Sequence, residues 1–122
     1  MPLAINHPLR EQRAHAYSPS IGGTPAAGYT TAPFRGSIQK FVAVTQGIIT
    51  TADCTVTVAV NGTTIGTMSI PVAGAAAGQF ASGTPTTIAL SAVSEDDVIS
   101  FTPAGASGVS ISCAFAALIR AG

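Results

Sequence analysis

From position 54 onward the chain alternates apolar residues with small polar ones at a period of two, the spacing that sends successive side chains to opposite faces of a β-strand. The clearest run is Cys54-Thr55-Val56-Thr57-Val58-Ala59-Val60, in which Cys54, Val56, Val58 and Val60 form one apolar row while Thr55 and Thr57 face away. Asn61-Gly62 follows, the dipeptide best suited to the positive φ angles of a two-residue type I′ hairpin turn. A return strand is predicted from Thr63 to Ile70, carried by Ile65, Met68 and Ile70, with Gly66 interrupting the alternation and marking a bulge.

The same reading extends over the rest of this part of the chain. Ile38 to Thr45 predicts a strand with Phe41 and Ala43 on one face and Val42 and Val44 on the other, a pattern that suits burial on both faces or an intersubunit position. Thr86 to Ala92 predicts another, with Ile88 and Leu90 on one side, and Glu95-Asp96-Asp97 turns into a strand over Val98 to Thr102. After a turn at Pro103 to Gly108, Val109, Ile111, Cys113, Phe115, Ala117 and Ile119 make one unbroken inward row, so the last strand is expected in the middle of a sheet. Pro71 to Pro85 is rich in Ala and Gly and reads as a contact-making loop. Its large side chain, Phe80, suits either an outward contact anchor or a plug under the loop. Short strands joined by Gly, Pro and Asn turns, with no helical period between them, predict an all-β fold, an antiparallel sandwich.

Residues 1–36 break this regularity. Asn6-His7-Pro8, Ser18-Pro19, Thr24-Pro25, Ala32-Pro33, Gly22-Gly23 and Gly28 interrupt any sustained period, although Leu9 to Tyr17 has room for two helical turns. The expected division is an extended N-terminal arm over 1–36 and a β-sandwich domain over 37–122. Such an arm needs apolar anchors to offset the entropy of being ordered on a partner, and Ile5, Leu9, Tyr17, Ile21, Tyr29 and Phe34 are the candidates.

Composition sharpens the picture. The 122 residues fit one domain, and only 8% are charged, against roughly 25% in ordinary soluble domains. A surface so thin in charge has little repulsion to keep copies apart and favours packing in a larger assembly. Net charge is zero, yet the halves differ: Arg10, Arg13, Arg35 and Lys40 dominate before position 41, Asp53, Glu95, Asp96 and Asp97 after it. The basic arm suits either an acidic patch on a neighbour or a solvated tail. Its few dispersed cations, without interleaved aromatics, argue against nucleic acid. No basic-then-apolar leader opens the sequence, and the apolar run Cys113 to Ile119 falls far short of the ~20 residues a bilayer requires, so no membrane role is expected and synthesis in a cytosol is. In that compartment Cys54 and Cys113 are expected as buried free thiols.

Catalytic and metal chemistry finds little support. The two Cys and two His do not have zinc-site spacing, and three adjacent carboxylates at 95–97 read as a solvated turn more simply than as a calcium site. Both histidines lie in the arm, where nothing holds an imidazole to catalytic tolerance. Ser107 lacks the glycine two residues on that a nucleophile elbow requires, and no GxxxxGK[ST] or GxGxxG occurs. Asn61-Gly62-Thr63 fits an N-glycosylation pattern but serves better as a hairpin turn. No enzyme, no cofactor and no metal are expected.

The ordered set Thr55 to Gly62, Met68-Ser69-Ile70-Pro71-Val72, Val93 to Phe101 and Val109 to Ile119, after a Pro- and Gly-rich arm, resembles the small decoration (cement) proteins of tailed-bacteriophage capsids. In one common form of that pattern a glycine stands where this chain has Asp96. The resemblance implies a jelly-roll-like sandwich, a homotrimer, placement on the outer capsid surface of the virion, and major capsid protein as partner, with no catalytic residue carried over. Under that reading Leu9, Tyr17, Ile21, Tyr29 and Phe34 are arm anchors against the partner, Phe80 is a loop contact, and Arg10, Arg13 and Arg35 supply the arm's charge. The alternative is a trimeric head- or tail-fibre module whose 71–85 loop meets a host receptor.

Overall fold

A computed structural model describes residues 11–22, 25–47, 53–71, 80–86, 90–104 and 111–121. They form nine strands and, among the described residues, no α-helix: β1 (Glu11–Ser18), β2 (Gly28–Thr31), β3 (Gly36–Thr45), β4 (Cys54–Val60), β5 (Thr63–Ile70), β6 (Phe80–Gly83), β7 (Ala92–Val93), β8 (Val98–Ala104) and β9 (Cys113–Ala121). Two antiparallel sheets result, one ordered β1-β9-β3-β6 with β7 also on β3, the other β2-β8-β4-β5.

The pairings are nested. β4 pairs with β5 across the Asn61-Gly62 turn, β3 with β6, β2 with β8 and β1 with β9. The chain is therefore one long two-stranded ribbon with its tip at Asn61-Gly62. Rolling that ribbon adds the β3·β9 and β4·β8 pairings and produces an eight-stranded jelly roll with β7 as an addition. Asn61 and Gly62 have φ of 50° and 88°, as the type I′ turn requires. The bulge falls beside Gly66: Val58 pairs Gly66 and Ala59 pairs Thr64, which leaves Ile65 as the extra residue.

The rows expected inside are inside. Cys54, Val56, Val58 and Val60 of β4 face Cys113, Phe115, Ala117 and Ile119 of β9 within one buried cluster. Phe101 of β8 stacks on Phe115 of β9, ring centroids 5.0 Å apart and planes within 5°, which ties the two sheets at their centre. β9 is central, between β1 and β3, although its strand begins at Cys113 and Ile111 precedes it as a buried residue. Pro103, expected in a turn, belongs to β8 beyond the reach of β2, which covers only Val98 to Phe101, so the missing N–H deprives β2 of nothing. At one open side of the sandwich β5 approaches β6 so closely that a Cβ on Gly83 would lie 2.6 Å from the Phe41 ring and 2.8 Å from the Thr67 carbonyl oxygen. On the opposite side β2 runs against β1.

Three expectations are corrected. Residues 11–36 are not an arm: β1 and β2 supply one strand to each sheet, and the jelly roll is incomplete without them. Alternation in Arg13-Ala14-His15-Ala16-Tyr17-Ser18 buries only small side chains, and β9 provides the long partner that makes this pay. The stretch 71–85 is not loop throughout, because Phe80 to Gly83 is an edge strand on β3. Of the described residues in Thr86 to Ala92, Ala92 alone is in a strand: Leu90 is exposed, and pairing is confined to Ala92–Val93. Ile88 and Val109 lie outside the described residues.

Neither cysteine is in a disulfide, and both thiols are buried, one in each sheet. Burial, then the neighbouring Cys54, pushes the Cys113 thiol up to about 12, against a weaker opposing hydrogen bond from the Val44 backbone. A raised thiol stabilises the fold in full below the unfolded value of 9.0 and loses that contribution as pH climbs from 9.0 towards about 12. Denaturant unfolding is expected to weaken by about 1.4 kcal/mol per pH unit in that window, and Cys113→Ala to remove this slope. Gly83→Ala is expected to cost about 1–3 kcal/mol of stability through overpacking against Phe41, read from the same unfolding curves.

Candidate functional site

The register of the first sheet fixes what its outer face presents. Tyr17 pairs Ala114, Ala114 pairs Val44, and Val44 pairs Phe80, so these four lie in one row across β1, β9, β3 and β6. The two aromatics are 59% and 58% exposed at the ends of the row. Three interstrand spacings separate them, about 14 Å, with the small Ala114 and Val44 as the floor between. A second row, His15, Ala116, Val42 and Ser82, runs beside it, and a third, Arg13, Leu118 and Lys40, brings two cations on either side of Leu118. A fourth row has Arg120 between Glu11 and Ser37, with its Nη2 and Nε 2.6 and 2.7 Å from the same Glu11 carboxylate oxygen. The face thus grades from an aromatic-walled apolar trough at one end to charge at the other.

The opposite face differs in kind. β2, β4, β5 and β8 contain no charged residue, and their outward positions are Tyr29, Thr31, Thr55, Thr57, Thr64, Thr67, Ser69, Val98, Ser100, Thr102 and small alanines. Tyr29, 67% exposed, stands on this hydroxyl-rich face, while Tyr17 stands on the other.

The expected contact residues therefore separate. Tyr17 and Phe80 share one face, and the exposure of Phe80 excludes the plug reading. Arg13 is exposed on that face, and Arg35 is exposed in the link between β2 and β3. Ile21 and Phe34 are corrected as partner anchors: at 0% and 7% exposure they belong to this chain's own core. Ile21 donates its N–H to the Ile111 carbonyl oxygen, and its own carbonyl lies 3.9 Å from the Cys54 thiol. The turn after β1 is held by Ser18, whose buried Oγ lies within hydrogen-bond distance of the Ser20 and Ala26 carbonyls and accepts the Ser20 N–H. Ile5, Leu9 and Arg10 lie outside the described residues. Ala114, Ala116 and Leu118 were not among the expected contact residues, because the alternation in β9 marks only its inward row; Val42 and Val44 are the expected second apolar face of β3, where Val42 is buried and Val44 half-buried.

At the end of the sandwich that carries the ribbon's tip, Asp97 joins two turns. Its carboxylate accepts the Ser94 N–H at 2.8 Å and the Asn61 side-chain N–H at 3.0 Å, and Val98 N–H donates to Asn61 Oδ1 at 2.9 Å. The Ser94 N–H, then the Asn61 amide, hold the Asp97 carboxyl below its ordinary 3.8. A lowered carboxyl adds stability above its unfolded value and loses it as pH falls through the folded one. Melting temperature is accordingly expected to drop on acidification below about pH 4, and Asp97→Asn to shrink that drop. Among the described residues no group of three His, Cys, Asp or Glu is placed to hold a metal ion, and no helix is long and apolar enough to cross a membrane.

No family model matches this chain, and no curated protein matches it. Among solved structures, a chain of the acid-stable capsid structure of Helicobacter pylori bacteriophage KHP30 is similar, with a TM-score of 0.55 and 12% sequence identity over 90% of this chain and 86% of that one. The likeness is one of fold, between chains of comparable length.

Proposed function

We propose that this protein is a structural virion component that binds the outer surface of a phage capsid, as a homotrimer, and stabilises contacts between major capsid proteins. The observation that carries this reading is the exposed Tyr17–Ala114–Val44–Phe80 row, an aromatic-walled apolar strip on an otherwise sparsely charged protein. Aromatic anchors beside small residues are the side chains that dominate protein–protein contacts. Support for the kind of partner comes from the shared fold with a capsid chain of similar length and from the sequence resemblance to decoration proteins. The reading assigns no catalysis, cofactor or nucleic acid, and it places the protein on the virion after synthesis in the host cytoplasm.

The alternative, a trimeric head- or tail-fibre module that binds a host receptor, draws on the same exposed aromatics and differs only in what they meet. Binding to expanded empty heads and to host cells distinguishes the two. Tyr17→Ser and Phe80→Ser are each expected to weaken head binding by about thirtyfold, on the order of 2 kcal/mol, with melting temperature little changed. Unchanged head binding in the double variant, or binding to cells alone, overturns the proposal. Deletion of residues 1–10 tests whether Leu9 and Arg10 contribute to head binding without removing β1 or β2, and solution mass tests the trimer.

A further inference from the structure

The two non-glycine residues with positive φ among the described residues, Asn61 at 50° and Asp96 at 71°, lie in the two turns that Asp97 joins. Asn61 is gripped at three atoms. Its backbone N–H donates to the Val98 carbonyl at 2.8 Å, its side-chain N–H to Asp97 at 3.0 Å, and its Oδ1 accepts from Val98 N–H at 2.9 Å. The residue after it is unguarded. Gly62 is exposed, and a Cβ built there would have no neighbour within 4 Å, so no side chain from elsewhere in the chain packs over its Cα.

We propose that Asn61-Gly62 is a deamidation site that the Asp97 clasp keeps closed, and that its conversion undoes the junction between the two turns. In the reaction the Gly62 backbone nitrogen attacks Asn61 Cγ. A C–N bond forms, the Cγ–Nδ2 bond breaks, and the side-chain nitrogen leaves as ammonia, taking the proton of the Gly62 N–H. Water then opens the succinimide at either carbonyl, giving aspartate or isoaspartate at position 61. Attack requires the Asn61 side chain to swing towards Gly62, and both of its hydrogen bonds must break first. Glycine imposes no side-chain obstruction on the attacking nitrogen. Once formed, the product cannot relock. Where an N–H pointed at the Asp97 carboxylate there is now a second carboxylate, and like charges at this range repel. Isoaspartate also lengthens the backbone inside a two-residue turn, the tip from which every nested pairing is measured.

The test follows deamidation at this peptide by mass mapping, with isoaspartate detection, in the full chain at fixed neutral pH. The folded protein is expected to react at least roughly tenfold more slowly than the same chain in urea, and folded Asp97→Ala roughly three- to tenfold faster than folded wild type, the factor corresponding to one lost charge-assisted hydrogen bond at an exposed site. Asp97→Asn, which keeps a neutral acceptor, is expected in between. The deamidated protein is expected to melt below the intact one. Equal rates for folded and urea-unfolded wild type overturn the proposal, as do equal rates for wild type and Asp97→Asn; neither comparison depends on Asp97→Ala folding.

Discussion

The pairing of Glu11 to Ser18 with Arg120 to Cys113 is the constraint on which the other strands depend, because it closes a ribbon whose two ends are 109 residues apart in the chain. Each pairing inside it is shorter in sequence, down to β4 and β5 at the Asn61-Gly62 tip. The entropic cost of closing the chain is smallest at the tip and largest at β1 and β9, whose paired residues are furthest apart in sequence. The physical demands on the two ends of the ribbon therefore differ. At the tip, geometry is paramount, and it is met by positive φ at Asn61 and Gly62 and by the clasp to Asp97. At the far end, burial must offset entropy, and it is met by the apolar row of β9 with Phe115 stacked on Phe101.

The two outer faces follow from the same winding. Strands β2, β8, β4 and β5 contain no charged residue, so their sheet presents hydroxyls and methyls. The other sheet carries Glu11, Arg13, Lys40 and Arg120 towards one end and the Tyr17 and Phe80 row towards the other. Low charge in the whole chain is thus not spread evenly. A face with two exposed aromatics flanking small residues is suited to docking against a partner of matching shape, and a face of threonine and serine is suited to water or to weak, adaptable contact.

Residues that look like anchors in a sequence divide sharply once the sheets are assembled. Tyr17, Tyr29, Phe34 and Ile21 share the same irregular stretch, yet Ile21 and Phe34 fill this chain's own core, while the two tyrosines stand on opposite faces. Their separation is a matter of parity within β1 and β2 and of where the Ser18 to Ala26 link tucks. Phe80 shows the same principle. Its pairing with Val44 places it on the outer face, although its sequence surroundings of Ala and Gly suggested loop.

What the sequence determined by itself was the local chemistry: the inward rows of β4 and β9, the Asn-Gly turn, the bulge beside Gly66, the turn at 95–97, buried free thiols and an all-β sandwich. Each is set by periodicity or by the φ preference of one or two residues, which act over a few positions. The tertiary structure decided that residues 11–36 belong to the sandwich, that β6 is a strand, and that Tyr17 and Phe80 share a trough. Those outcomes rest on pairings across tens of residues, and strands as short as Gly28–Thr31 or as small-sided as β1 have no stability of their own to announce them. A two-residue period says which side chains alternate, and only the partner strand says which side meets the core.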